Sequence, residues 1–289
     1  MRNRAALALV LLAACHLQGE ESIRIGNAQR HYELFVPSDQ PGLPLVIALH
    51  GHGGTGKQME RSSNFDRVAA REQFVVAYPD GIDRGWNDGR PERSGGPDDV
   101  AFIAGLIDEL AARYAIDRSR VYVTGASNGG MMTYRIGCEL ADRVAAIAPV
   151  IGNVPAAITC VPSAPVSLLA INGTDDPLVP YNGGQVAKRR GEVLSAALST
   201  QLFAQADGCG AAATTTTEPD EDPGDGSRTR VTRFACPAPA EVELITLDGA
   251  GHTWPGGAQY LPAFLIGGVS RDFDGAERIW EFFAAHSRS

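Results

Sequence analysis

Val121-Tyr122-Val123-Thr124-Gly125-Ala126-Ser127-Asn128-Gly129-Gly130-Met131 is the stretch around which the rest of the chain is arranged. Three β-branched or aromatic residues in a row read as a buried strand, and the residues from Met131 to Cys138 carry an amphipathic helical pattern. Between them stands Gly125-x-Ser127-x-Gly129, a spacing that holds a serine on a tight strand-to-helix turn with its hydroxyl projecting above the sheet edge. A side chain at either glycine would crowd the point where strand and helix nearly touch. The helix begins just after Ser127, so its N-terminal N–H groups and positive dipole end lie beside any anion formed there. The plainer alternative is a Gly/Ser turn without chemistry, and partners elsewhere in the chain must decide between the two.

The chain has 289 residues, a hydrophobic content of 44% and a net charge of −9, values that fit a globular α/β protein with a substantial core. No run of Lys and Arg is long enough for a nucleic-acid footprint. Arg2 and Arg4 precede an apolar run from Ala5 to Ala14 that is too short for a permanent membrane span, so residues 1–14 read as a signal peptide. Leu12-Ala13-Ala14-Cys15 resembles a lipoprotein cleavage box, which makes Cys15 the expected lipidated first residue of an exported, envelope-anchored or secreted chain; an ordinary secretory cleavage beside a chance cysteine is the alternative. Four cysteines remain, Cys138, Cys160, Cys209 and Cys236. An even number in an exported chain suggests disulfides. The sequence-local pairing, Cys138 with Cys160 and Cys209 with Cys236, closes loops of roughly 20 to 30 residues worth about 3 kcal/mol each. No cysteine or histidine spacing suits zinc, and no cofactor is expected.

Strands are expected near Ser22–Ile25, at Tyr32–Val36 and at Leu45–Leu49, the last apolar on both faces and therefore central in a sheet covered by helices on both sides. It ends at His50-Gly51-His52-Gly53-Gly54, where backbone N–H groups can turn toward a ligand. Gly51-x-x-x-x-Gly56-Lys57 copies most of a phosphate-binding loop, but Gln58 stands where Ser or Thr must ligate magnesium, and the nucleotide-hydrolase reading is set aside. A helix is expected over 57–71, then a strand at Phe74–Tyr78. Gly85-Trp86-Asn87-Asp88-Gly89 follows in a long loop, where Trp86 either walls a substrate site or caps the core. A helix from Asp98, further buried strands at 144–148 and 166–171, a helix over 184–206, a strand at 242–247 and a final helix around Trp280 complete a mostly parallel sheet in a single domain over residues 15–289. Residues 211–229, rich in Thr, Pro and Asp, read as an unpacked loop fastened at its base by Cys209 and Cys236.

A serine hydroxyl becomes a nucleophile when a base takes its proton and a third group orients that base. Of the six histidines, His252 alone follows both the serine and an acidic loop, in the glycine-flanked segment after a late strand. Asp175 and Asp176 are both placed for the acid, just past a strand's carboxyl end, and spacing does not separate them. The set Leu49-His50-Gly51, Gly125-Ala126-Ser127-Asn128-Gly129-Gly130, Gly173-Thr174-Asp175-Asp176-Pro177-Leu178-Val179-Pro180-Tyr181 and Gly251-His252-Thr253-Trp254-Pro255-Gly256-Gly257 resembles the polyhydroxybutyrate depolymerase and feruloyl esterase family of α/β-hydrolases, in order and over nearly the whole mature chain. The resemblance implies an α/β-hydrolase fold and a serine esterase in which Asp176 joins Ser127 and His252. It further implies an oxyanion hole from the backbone N–H groups of His52 and Asn128, with Asp98, Asp99, Trp86 and Trp254 near the pocket and the two tryptophans touching substrate. No separate surface-binding domain follows His252, so soluble esters or oligoesters, of hydroxyalkanoate, feruloyl or acyl-carbohydrate type, are expected in place of crystalline polymer. The alternative is a cell-surface binding protein that keeps the fold without turnover, and an intact Ser, Asp and His argues against it. Partners other than the ester substrate and a membrane reached through the anchor are not indicated.

Overall fold

The computed structural model describes residues 17–93, 95–211 and 213–288; the expected signal peptide and Cys15 lie outside them. The strands are β1 (Leu17–Ile25), β2 (Ala28–Val36), β3 (Leu45–Leu49), β4 (Val75–Pro79), β5 (Val121–Ala126), β6 (Ala146–Val150), β7 (Ser167–Gly173), β8 (Gly184–Gln185), β9 (Glu192–Val193), β10 (Ala213–Thr217), β11 (Arg228–Phe234) and β12 (Val242–Asp248). The helices are α1 (Gly56–Ser63), α2 (Phe65–Glu72), α3 (Asp99–Tyr114), α4 (Asn128–Glu139), α5 (Ala196–Ala206), α6 (Ala263–Ile266) and α7 (Gly275–Ala284). A ten-stranded sheet runs in the order β1-β2-β4-β3-β5-β6-β7-β12-β11-β10. Its middle, from β4 through β12, is parallel, and antiparallel strands finish both edges.

The alternation within β3 shows why the sheet sits between two helical layers. Leu45, Ile47 and Leu49 join Phe102, Leu106, Met132 and Phe203 of α3, α4 and α5 on one face. Val46 and Ala48 join Met59, Phe65, Val68, Trp280 and Phe283 of α1, α2 and α7 on the other. Every residue of β3 is 0% exposed, which is the burial expected of a doubly covered parallel strand. The expected disulfides, Cys138–Cys160 and Cys209–Cys236, are both formed. The first ties the end of α4 to the segment after β6.

Three expectations need correction. The helix expected over 57–71 is two helices, because Asn64 takes a left-handed conformation at φ 61°, one that asparagine tolerates better than most residues. The helix expected over 184–206 starts only at Ala196; its first half is the small β8–β9 hairpin, with Gly183, Gly184 and Gly191 at positive φ. The segment 211–229 is not all loop: Ala213–Thr217 pairs with β11 as the sheet's outer strand, because β-branched threonines suit a pleated strand even with no apolar face to bury.

Candidate active site

β5 delivers Ser127 at φ 59° and ψ −118°, a conformation a residue with a Cβ holds only when its surroundings enforce it. The Ser127 N–H donates to the Val150 carbonyl at 2.9 Å, and the Ser127 carbonyl accepts from Met131 N–H at 2.8 Å as α4 begins. The flanking glycines let the chain close up. A Cβ on Gly129 would stand 2.3 Å from the Leu49 carbonyl oxygen, and one on Gly125 would stand 2.7 Å from the Gly129 carbonyl carbon. The elbow is thereby pressed against the end of β3, and the loop that follows β3 comes beside the serine.

In that loop His50 is buried, and its ring holds the turn together. Nε2 accepts from Gly81 N–H at 3.0 Å, so Nδ1 carries the proton that reaches the Gly51 carbonyl at 2.8 Å. Burial pushes its pKa below the usual imidazole value, with the Gly51 carbonyl acting in the opposite direction. His50 is therefore a neutral structural histidine. The next residue but one, His52, lines the cleft together with Ser127 and Asn128.

β7 and β12, neighbours in the sheet, bring the other two groups. Asp176 sits in the turn after β7, where its Oδ1 accepts from Leu178 N–H and Val179 N–H, both at 2.8 Å. Its Oδ2 lies 2.7 Å from Nδ1 of His252, which is carried by the loop after β12. Asp176 is 8% and His252 4% exposed. Asp175 points outward, with its carboxylate on the Thr174 hydroxyl. Ser127, His52, Asn128, His252 and Trp254 share one cleft of 950 Å³.

Trp254 reaches the cleft while its ring packs edge-on against Phe65. Trp86 does not: it is 0% exposed, and its Nε1–H donates to the His50 carbonyl at 2.8 Å. The expectation that Trp86 touches substrate is corrected, since a fully buried ring beneath the histidine loop caps the core and has no face toward the cleft. Asp98 and Asp99 likewise stand away from the cleft. Asp98 caps α3 through Ala101 N–H, and buried Asp99 accepts from Arg30 and from Asn87 N–H.

Asp88 has a part that its sequence context does not reveal. Its 0% exposed carboxylate accepts from Arg90 Nη2–H and from Asn128 Nδ2–H, both at 2.6 Å. The Asn128 amide also grips the backbone of Trp86 on both sides, accepting from its N–H and donating to its carbonyl. The first residue of α4 is thus clamped from the loop below. A charged pair inside a glycine-flanked loop was the available signal, and nothing in the sequence separated it from a solvated turn. Among the described residues no group of three or more His, Cys, Asp or Glu is placed to hold a metal.

The chain is similar to known esterases. Residues 31–167 match the family described as esterase PHB depolymerase. A putative esterase, NocK of Nocardia uniformis subsp. tsuyamanensis, is 32% identical over 283 residues, which cover 89% of this chain and 80% of that one. Feruloyl esterase B of Piromyces equi is 31% identical over 220 residues; the match takes in 72% of this chain but 39% of that larger protein. The solved acetyl xylan esterase from Aspergillus awamori shares the fold with a TM-score of 0.64, covering 92% of this chain and 99% of that one at 18% identity. With the family's pattern over residues 31–167 and an esterase matched along 89% of its length, the chain belongs to the esterase PHB depolymerase family, a family of α/β-hydrolase-fold carboxylic ester hydrolases.

Proposed function

We propose that the protein cleaves soluble esters or oligoesters through an acyl-enzyme on Ser127. The observation that carries this reading is the 2.7 Å contact of His252 Nδ1 with Asp176 Oδ2, in the cleft that also holds a serine at φ 59°. A proton on Nδ1, donated to the carboxylate, leaves Nε2 as the base. Nε2 takes the Ser127 hydroxyl proton as Oγ attacks the ester carbonyl. The tetrahedral oxyanion is received by the N–H groups of His52 and Asn128, the latter at the positive end of α4. Collapse expels the alcohol, which leaves with the proton from Nε2; water then repeats the sequence on the acyl-enzyme and returns Ser127.

Hydroxyalkanoate oligomers and feruloyl or acyl-carbohydrate esters are the substrate classes this reading favours, with the names of the relatives as support. The two disulfides fit an exported protein, and we place its lipid anchor at Cys15. Intact-mass analysis of membrane-extracted protein is expected to find a lipidated Cys15; an unmodified amino terminus beyond it would reject the anchor. For the chemistry, a fluorophosphonate probe should label Ser127 and stop turnover of p-nitrophenyl butyrate. A Ser127→Ala variant that is still labelled and still active would overturn the mechanism. A panel of p-nitrophenyl, feruloyl and hydroxybutyrate esters sorts the substrate class.

A further inference from the structure

The charges around the cleft run against those of the protein. The chain has 25 Lys and Arg against 34 Asp and Glu, so an unbiased sample of its surface would be acidic. The cleft is lined by Arg61, Arg90, Lys188 and Arg190, with Glu92 the one carboxylate beside them. Arg90 is engaged with Asp88. Arg61, Lys188 and Arg190 are exposed and have no ion-pair partner among the described residues. Glu92 sits against Gly191, next to Arg190 in the turn of the β8–β9 hairpin, and offsets one of the three cations, which leaves the mouth positive.

The hairpin that carries two of these cations is held in place. Val186 and Val193 pack beneath it on Met131 of α4 and on Val179. Arg90 donates to the Arg190 carbonyl, and the same guanidinium is bound to the carboxylate that clamps Asn128. One buried ion pair therefore ties the cationic tip to the residue after Ser127. Lys188 and Arg189 at that tip are both at positive φ, 61° and 54°, an arrangement that costs energy unless something compensates. The same cleft also carries apolar lining, Ile151, Leu178 and Val179 among it.

We propose that this mouth is a carboxylate-binding subsite, and that the ester this enzyme takes has an apolar body and an anionic group lying beyond the scissile bond. The inference rests on the esterase reading above and adds the charge of its substrate. The anion could belong to the acyl part, as in the half-ester of a dicarboxylic acid, or to the alcohol, as in an oligoester with a free terminal acid or an ester of a uronic acid; the recognising chemistry is the same.

Two matched pairs test it and separate the sources. p-Nitrophenyl hexanoate against p-nitrophenyl hydrogen adipate places the carboxylate on the acyl side, and p-acetoxybenzamide against p-acetoxybenzoate places it on the alcohol side. In at least one pair the charged ester should have a kcat/KM about tenfold above its neutral partner at low salt, with the gap closing as ionic strength rises. Arg61→Gln, Lys188→Gln and Arg190→Gln combined should bring that ratio toward one. The charge-keeping exchanges Arg61→Lys, Lys188→Arg and Arg190→Lys should preserve it. If the wild type hydrolyses the neutral esters without preferring either charged one, or the glutamine variant keeps the preference, the subsite is overturned and the esterase stands. Absence of turnover on all four esters and on p-nitrophenyl butyrate removes the esterase reading and the subsite with it.

Discussion

Asp176→Asn is nearly isosteric, yet the surroundings dictate how the amide must sit. Oδ1 of Asp176 accepts two backbone N–H groups, from Leu178 and Val179, each at 2.8 Å. An amide NH2 turned toward them would leave buried donors facing donors, at a cost of about 1–3 kcal/mol for each unmet group. The amide oxygen therefore stays with the turn, and the NH2 faces His252 Nδ1 across the present 2.7 Å contact. Nδ1 must then accept, and the ring proton moves to Nε2, the atom needed to take the serine proton. The expected loss in kcat is about 10³–10⁴-fold, the size this exchange has in serine-protease triads. Asp175 is exposed and touches only the Thr174 hydroxyl at 3.2 Å, so Asp175→Asn should stay within about twofold of wild type. Steady-state hydrolysis of p-nitrophenyl butyrate measures both variants, with Tm as the control for folding. A folded Asp176→Asn enzyme within about tenfold of wild type would refute the tautomer argument, and a loss confined to Asp175→Asn would reassign the acid.

Asp88→Asn removes one half of a pair whose side chains are 0% and 4% exposed, leaving the Arg90 guanidinium uncompensated. About 3–5 kcal/mol should be lost, roughly 10 °C or more in Tm, and most of it should return in Asp88→Asn/Arg90→Met; equal melting of the single and double variants would count against the pair. Burial raises the Asp207 carboxyl to about 6 against the pull of Val166 N–H. A folded-state pKa above the unfolded value near 4 gives stability that is complete below about pH 4 and lost as pH rises through about 6. Asp207→Asn should accordingly gain on wild type in Tm between pH 4 and pH 7, and a constant difference would disprove the assignment. The Cys209→Ser/Cys236→Ser variant opens a link across 27 residues, worth about 3 kcal/mol; faster amide exchange in β10 with an intact active cleft is expected, and unchanged exchange would show that the strand holds without its link.

The elbow at Ser127, the doubly buried β3 and the loops after β7 and β12 were legible because each has a local cause: a steric need for glycine, an unbroken apolar run, a carboxylate or histidine beyond a strand end. The choice of Asp176 over Asp175 came from family resemblance; in the structure it corresponds to the side chain that accepts two turn N–H groups. What escaped has two kinds of cause, one residue's backbone conformation and partners distant in sequence. The break at Asn64 needs only one left-handed residue within a sound helical pattern. The fate of Trp86 turns on a bond to the His50 carbonyl, 36 positions away in sequence. Threonine-rich residues 213–217 became a strand because β11 was there to pair with them.

That outer strand presents all five of its residues, Ala213–Thr217, to solvent, and it ends the sheet. A terminal strand offers a row of backbone groups to any passing extended chain, a standing hazard for self-association. Here the side chains are four threonines in succession, the shape of valine with one methyl exchanged for a hydroxyl, and Thr215 already shares a hydrogen bond with Thr232 across the pair. An intruding chain could stack on this edge only by stripping water from those hydroxyls, which offers it no greasy face to grip. The protein thus has the geometry of a β edge without its stickiness.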